Sequence, residues 1–188
     1  CIRDRLGVVV KVQTDTRVFP SNPGKFLYSV LPQGMREAQP YSEKDLKLMH
    51  QLIKKADVFV QNLAPGATKR LGFGSEDMRK KNSRLITCDI SGYGETGPAS
   101  DLKAYDFLVQ AESGLVDISG GPNELGRIGV SICDIGAGMT AHAAIVEALF
   151  YRERTGTGYG VNGSLFGVAA DWMNVPLVQY TYGGKSPK

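Results

Sequence analysis

The sequence predicts an α/β protein with a mostly parallel sheet and helices on both of its faces. Short apolar segments typical of buried strands alternate with longer segments that repeat apolar residues at helical spacing. Such alternation favours parallel strands joined by helical crossovers. With 188 residues, of which 42% are hydrophobic and 22% charged, the chain is long and apolar enough to bury a full core.

The first third of the chain contributes one strand and one helix. Valines predict a buried strand at residues 8–12, and repeated prolines predict an irregular surface segment at residues 13–41. A capping box at residues 42–45 then opens a helix that runs to Lys55. Helical spacing places one side of this helix on or near the core: Leu46, Met49, His50 and Ile53.

Two further strands and two helices follow. The apolar run at residues 57–61 predicts a second strand, and the Pro-Gly turn after it leads into a short helix that carries Arg70. Residues 85–90 predict a third strand. A helix is expected at residues 105–112, followed by a glycine-rich turn at residues 120–123.

The last third predicts two more strands and two helices. Residues 128–132 read as a fourth strand that leads directly into a long helix over residues 134–154. Gly156 ends that helix, and a short strand near residues 159–161 precedes a closing helix at residues 164–180. The long helix is expected to bury one face: Ile135, Met139, His142, Val146 and Leu149.

Asp134 is the most informative candidate residue. It follows the predicted fourth strand and opens the long helix, and α/β proteins present reactive side chains at that position. The positive end of the helix dipole favours an ionised carboxylate there. The glycines at 136 and 138 leave room for a substrate to approach the backbone. The structural alternative is that Asp134 only caps the helix.

The three cysteines, Cys1, Cys88 and Cys133, are widely spaced and form no C-x-x-C pair. This pattern indicates neither a zinc site nor a disulfide framework, and it is typical of a reducing cytoplasm. Cys133 could be read as a nucleophile, but on a strand beside Ile132 a cysteine is more often a small buried hydrophobic residue.

The glycines at 92, 94 and 97 spell G-x-G-x-x-G after the third strand. A dinucleotide site needs that motif to run directly into a helix, whereas here Pro98 follows. We therefore favour a flexible loop that closes over a ligand, with a plain tight turn as the alternative.

A net charge of +3 suits an anionic small ligand, and the chain has no basic stripe of the kind that binds nucleic acid. No apolar run in the sequence looks long enough to span a membrane, and no metal-ligand cluster is apparent. We expect a protein with small-molecule partners, no nucleic-acid or membrane partner and no metal.

The sequence resembles the class III CoA-transferases, the family that includes formyl-CoA transferase, carnitine CoA-transferase and α-methylacyl-CoA racemase. The resemblance covers residues 56–182 well and residues 6–55 poorly. It rests on six segments in family order: Gln61-Asn62-Leu63-Ala64-Pro65-Gly66, Arg70-Leu71-Gly72, Ile90 to Pro98, Ala104-Tyr105-Asp106, Val130 to Met139, and Arg152 to Gly156.

The resemblance implies a role for each matching position. Asp134 corresponds to the aspartate that attacks the acyl-CoA thioester. Residues in three segments correspond to positions that contact coenzyme A: Asn62, Leu63 and Ala64; Arg70, near the phosphates; and Lys103, Tyr105 and Asp106. Tyr105 stands where the racemases carry a catalytic histidine.

The resemblance also implies a Rossmann-like fold and a domain organisation. Residues 1–188 are then a single, partial large domain that binds CoA, without the family's N-terminal segment and small second domain. The implied activity is CoA transfer from an acyl-CoA to a carboxylic acid in a cytoplasmic homodimer. An acyl-CoA racemase on the same scaffold and a truncated, inactive chain are the alternatives.

Overall fold

In a computed structural model, residues 9–10 and 43–187 are described, and they form an α/β fold. The described residues form four strands in the order β1-β2-β3-β4. They are, in order, Val9–Val10, Val58–Gln61, Ile86–Ser91 and Gly160–Ser164. β1 is antiparallel to β2, and β2 is parallel to β3 with Val58 opposite Ile86. β4 runs parallel to β3, since Thr87 N donates to Tyr159 O and Phe166 N to Gly92 O. The predicted mostly parallel sheet is confirmed.

The described residues contain eight helices, and they lie between and after these strands. In chain order they are α1 Glu43–Lys54, α2 Ala67–Arg70, α3 Ser75–Lys81, α4 Asp106–Glu112, α5 Leu115–Ile118, α6 Ile132–Thr155, α7 Leu165–Trp172 and α8 Asn174–Gly183. The sequence analysis missed α3 and α5, and it merged α7 and α8, which separate at Met173. The predicted ends of the first strand, the segment 13–41 and the cap at Ser42 lie outside the described residues.

The chain divides into two compact units. The first comprises residues 1–89 and 144–161, and the second residues 90–143 and 162–188. The core of the first unit joins α1, β2 and α3 through Ile53, Phe59 and Met78. Leu46 and Met49 pack against it, so the predicted apolar face of α1 is confirmed.

The second unit has a separate core. Val109, Leu115, Cys133 and Ala169 are its buried members, and they bring together α4, α5, α6 and α7. Burial of Cys133 confirms that it is a small core residue.

The strand predicted at residues 128–132 is wrong. Residues 128–131 are irregular, and α6 begins at Ile132, two residues before its predicted start. The backbone polar groups of this segment bond to a side chain and not to a neighbouring strand. Gln110 accepts from Ile128 N at 3.1 Å and donates to Val130 O at 3.3 Å. Such pairing offers extended backbone an alternative to a sheet ladder.

The buried face predicted for α6 is also wrong. Ile135, Met139 and Val146 are 48%, 69% and 50% exposed. The helix buries small residues instead, namely Cys133, Ala137, Ala141 and Ala148. At Gly136 an added Cβ would lie 2.3 Å from the Trp172 ring, so close packing on α7 requires a residue without a side chain.

Arg152 anchors the C-terminal part of α6 within the first unit. Its side chain is 2% exposed, and Nη1 lies 3.1 Å from Asp57 Oδ1 and 3.2 Å from the carbonyl oxygen of Arg84. A buried guanidinium requires such partners. They tie the helix to the chain segments that lead into β2 and β3.

By length and composition α6 could cross a membrane, which corrects the expectation that no apolar run is long enough. Core helices of soluble proteins pass the same test, so this finding is weak support for a membrane span.

Candidate active site

Asp134 lies in the first turn of α6 and is half-buried. Its backbone N–H is one of the amide groups that a helix leaves without an intrahelical partner. The structural alternative, in which Asp134 itself caps the helix, does not hold, because another carboxylate serves these amides.

That carboxylate belongs to Asp106, the first residue of α4, which is 8% exposed. Asp106 Oδ1 accepts from Cys133 N at 2.8 Å and from Asp134 N at 3.2 Å. Asp106 therefore caps α6 from a neighbouring helix and fixes the backbone of Asp134. Its predicted contact with CoA stays a prediction.

Gln110, one turn along α4, holds Asp106 in place. Its Nε2 donates to Asp106 Oδ2 at 2.6 Å, and the side chain is fully buried. The sequence analysis missed Gln110. The signal that could have found it is its position four residues after Asp106, because side chains so spaced meet on one helix face.

Burial raises the pKa of the Asp134 carboxyl above 3.8, and the nearby Asp106 carboxylate raises it further. The expectation that the helix N-terminus favours the ionised form of Asp134 is thus opposed by burial and by the Asp106 charge. A more basic carboxylate is a better nucleophile, and partial burial leaves it accessible to a substrate.

The neighbouring thiol is unsuited to attack. Burial raises the pKa of Cys133 to about 11, with contributions from Asp106 and Asp134. Since the thiolate is the reactive form, Cys133 stays inert near neutral pH.

Tyr105 and Lys103 precede α4. Tyr105 is half-buried and takes an extended backbone conformation immediately before the helix, whereas Lys103 is exposed. Gly92 lies against this segment, and a Cβ there would come within 2.0 Å of Ala104 Cβ. The start of the glycine loop is therefore packed directly against the residue before Tyr105.

The glycine loop is anchored at its first residues and exposed at its tip. Tyr93 Oη donates to Glu112 Oε2 at 2.5 Å, and Ser91 Oγ accepts from Gly94 N at 3.0 Å. Burial and the hydrogen bond to Glu112 raise the pKa of Tyr93 to about 12. Gly94 and Gly97 have positive φ angles, as a tight turn requires, and residues 95–98 are exposed.

In the first unit, Asn62, Leu63 and Ala64 follow directly after β2. Leu63 N donates to Gln61 Oε1 at 2.8 Å, and Gln61 Nε2 donates to Asp89 Oδ1 at 2.7 Å. Because Gln61 and Asp89 are buried, this network gives the loop a fixed start. Asn62 and Ala64 are exposed.

Arg70 ends α2 and is exposed. Its Nη1 makes one long contact, 3.5 Å to Pro65 O. The structure thus brings Asp134 and Asp106 together, with Tyr105 beside Asp106 in the chain, and it places Asn62, Leu63, Ala64 and Arg70 in the other unit. No group of three metal-ligating side chains occurs in the described part of the chain.

Residues 39–188 match the sequence profile of CoA-transferase family III. The chain is 37% identical over 147 residues to an acetyl-CoA:oxalate CoA-transferase of Acetobacter aceti, covering 77% of this chain and 38% of that protein. It is 34% identical over 146 residues to the human succinyl-CoA:glutarate CoA-transferase, covering 77% of this chain and 33% of that one.

A solved structure shows the same fold. A CAIB/BAIF family protein from Brucella suis superposes with a TM-score of 0.74 at 35% identity, covering 78% of this chain and 39% of the other. The chain thus spans between a third and two fifths of the length of these relatives.

Proposed function

Since this chain belongs to CoA-transferase family III, we propose that the whole protein transfers CoA from an acyl-CoA donor to a carboxylic acid, with Asp134 as the covalent carrier. The observation that carries the proposal is the position of Asp134. Its half-buried carboxylate stands in the first turn of α6, with its backbone fixed by Asp106 and its pKa raised.

A carboxylate can carry CoA through two exchanges. Asp134 attacks the thioester carbonyl, the C–S bond breaks, and a mixed anhydride and CoA thiolate result. The thiolate attacks the aspartyl carbonyl of the anhydride, which releases the donor acid and leaves an aspartyl-CoA thioester. The acceptor carboxylate attacks the aspartyl carbonyl of this thioester, the C–S bond breaks, and a second mixed anhydride and CoA thiolate form. The thiolate then attacks the acceptor carbonyl of that anhydride and displaces the Asp134 carboxylate. The products are the new acyl-CoA and the free Asp134 carboxylate.

The remaining candidate residues bind CoA in this proposal. Arg70 is exposed and makes only one long hydrogen bond, so its guanidinium is available to a phosphate of CoA. Lys103 supplies a second exposed cation. Tyr105 and Asp106 lie in the same chain segment as Lys103. The ordered loop after β2 contributes the other proposed CoA contacts, namely Asn62, Leu63 and Ala64.

The glycine loop shields the reaction. A mixed anhydride is readily hydrolysed, so the site must exclude water while the anhydride exists. The exposed tip at residues 95–98 follows Gly94 and contains Gly97, both with positive φ, and Tyr93 holds the start of the loop. Closure of this tip over the substrate excludes water.

The acceptor is proposed to be a small dicarboxylic acid. Two relatives carry oxalate and glutarate in their names. The protein is further proposed to be a cytoplasmic homodimer.

The test is Asp134→Asn in the whole protein. This change keeps the size of the side chain but removes the nucleophile, so turnover is expected to fall by at least about 10³-fold. CoA transfer is measured from acetyl-CoA or succinyl-CoA to oxalate or glutarate, and intact protein mass reports the CoA adduct. Asp101→Asn, at an exposed aspartate of the same unit, is the matched control. Turnover of Asp134→Asn within about tenfold of the wild type contradicts the proposal.

A further inference from the structure

The side chain of Gln110 is fully buried and connects two parts of the second unit. Its Nε2 donates to Asp106 Oδ2 at 2.6 Å, and its Oε1 accepts from Ile128 N at 3.1 Å. The partners fix the orientation of the amide, because a carboxylate only accepts and a main-chain N–H only donates. Gln110 thus joins α4 to the segment that leads into α6.

The connection continues to the proposed nucleophile. Asp106 Oδ1 accepts from the backbone amides of Cys133 and Asp134, so its other oxygen is the one that Gln110 binds. Nε2 also lies 3.3 Å from Val130 O and 3.4 Å from Ile128 O, so it contacts two residues of the segment that precedes α6. A single side chain therefore fixes both the cap of α6 and the segment that enters it.

We infer that Gln110 is a positioning residue for the reaction: through Asp106 and the 128–130 segment, it holds the first turn of α6 where Asp134 can attack the thioester. This inference rests on the proposed function. Gln110 has no direct contact with Asp134 among its hydrogen bonds and acts through its neighbours. Proximity effects in catalysis are steep, so a small displacement of the nucleophile lowers kcat strongly.

Two substitutions separate positioning from mere packing. Gln110→Met keeps the approximate length and volume of the side chain but removes all of its hydrogen bonds. Gln110→Glu keeps the shape and, while the introduced carboxyl is protonated, can still donate to Asp106 Oδ2 and accept from Ile128 N. The charged group in contact with this position is Asp106 of α4, and Asp106 in turn interacts with Asp134 and the Cys133 thiol of α6.

Burial and the adjacent Asp106 carboxylate raise the pKa of the introduced carboxyl. Gln110→Glu is thus protonated at low pH, where its kcat matches that of the wild type at the same pH. Relative to the wild type it loses kcat as pH rises through that pKa, because the introduced carboxylate and that of Asp106 repel each other. This descending limb is absent from the wild type. Gln110→Met has a kcat reduced on the order of tenfold or more at every pH, with KM for acyl-CoA within about twofold.

The experiment measures kcat and KM of the whole protein between pH 5 and about 9, with Leu115→Ala as a control that loses core packing only. If Gln110→Met changes kcat no more than Leu115→Ala does, and Gln110→Glu gains no descending limb, the positioning role is overturned. Asp134→Asn in the same series tests the proposed function separately. If that variant keeps its turnover and wild-type protein shows no CoA adduct, the proposed function fails whatever the Gln110 variants do.

Discussion

The carboxylate of Asp106 determines two properties of Asp134. It fixes the backbone of that residue through the hydrogen bond to its N–H, and its charge helps to raise the pKa of the Asp134 carboxyl. An acid whose pKa is higher in the folded than in the unfolded state destabilises the fold when it is ionised. The proposed nucleophile is therefore held in place at a cost in stability near neutral pH.

This cost predicts the effect of Asp134→Asn on stability. The favourable contribution of a raised pKa is fully present below the unfolded value of 3.8 and is lost as pH rises through the folded value. Removing the ionisable group is thus expected to raise Tm at pH 7, and this gain should shrink as pH falls toward 4. Thermal unfolding of both proteins across this range measures it. A gain in Tm that does not depend on pH contradicts the argument.

Substitution of Arg70 is expected to weaken acyl-CoA binding without slowing the chemical step. A phosphate of CoA is remote from the thioester, so an arginine that binds it stabilises the ground and transition states equally. Arg70→Ala is expected to raise KM for acyl-CoA about tenfold with kcat within about twofold. The neighbouring Lys69→Ala, also exposed on α2, is the matched control. Equal KM values for the two variants would show that Arg70 is an ordinary solvated residue.

Helices and strands with strong apolar periodicity are the elements that the sequence predicts well. α1, β2 and β3 fall within one or two residues of their predicted bounds. α3 carries a single buried residue, Met78, and so has too little periodicity to reveal it. The false strand at residues 128–132 is apolar, but its backbone is paired by Gln110, a contact across 18 residues that local pattern cannot show.

The residues of the candidate site were predictable to the extent that they lie in local sequence patterns. Asp134 and Asp106 are visible in the sequence because they lie in recognisable segments. The hydrogen bond between them joins positions 28 residues apart. Gln110 belongs to the site only because the fold places its side chain against Asp106 and the 128–130 segment. Long helices with many apolar residues are likewise ambiguous, and α6 buries alanines where the pattern favours larger side chains.

Replacing glycine by alanine is expected to have opposite effects on Tm at two positions of α6. Gly136→Ala is expected to lower Tm, because its Cβ would lie 2.3 Å from Trp172 and 2.9 Å from Val168 Cγ1. Gly138→Ala meets open space in the same helix, and alanine favours helix by about 1 kcal/mol over glycine, so Tm is expected to rise. Thermal unfolding of the two variants tests the packing of α6 on α7. A rise in Tm for both would show that Trp172 moves aside without cost.

At the scale of the whole molecule, the choice lies between two reactions on one scaffold. A transferase needs a carboxylate that forms and breaks acyl bonds, whereas a racemase needs an acid and a base on opposite sides of the α-carbon. Tyr105 stands where the resemblance places the racemase histidine, and a phenol is a poor base at neutral pH. The family alone does not separate the two reactions, so the separation must come from the reaction itself.

The deciding measurement uses the unmutated whole protein in D₂O with a 2-methylacyl-CoA and an added carboxylic acid. A transferase moves CoA to the acid and leaves the α-proton of the donor in place, because no step removes it. We expect CoA transfer without deuterium at the α-carbon, and we expect Tyr105→Phe to keep transfer at a cost of about 1 kcal/mol, the value of one hydrogen bond. Tyr105→His supplies an imidazole able to accept a proton, and we expect it to begin exchange of the α-proton. Rapid deuterium incorporation by the unmutated protein, with no transfer to any acid, would establish the racemase instead.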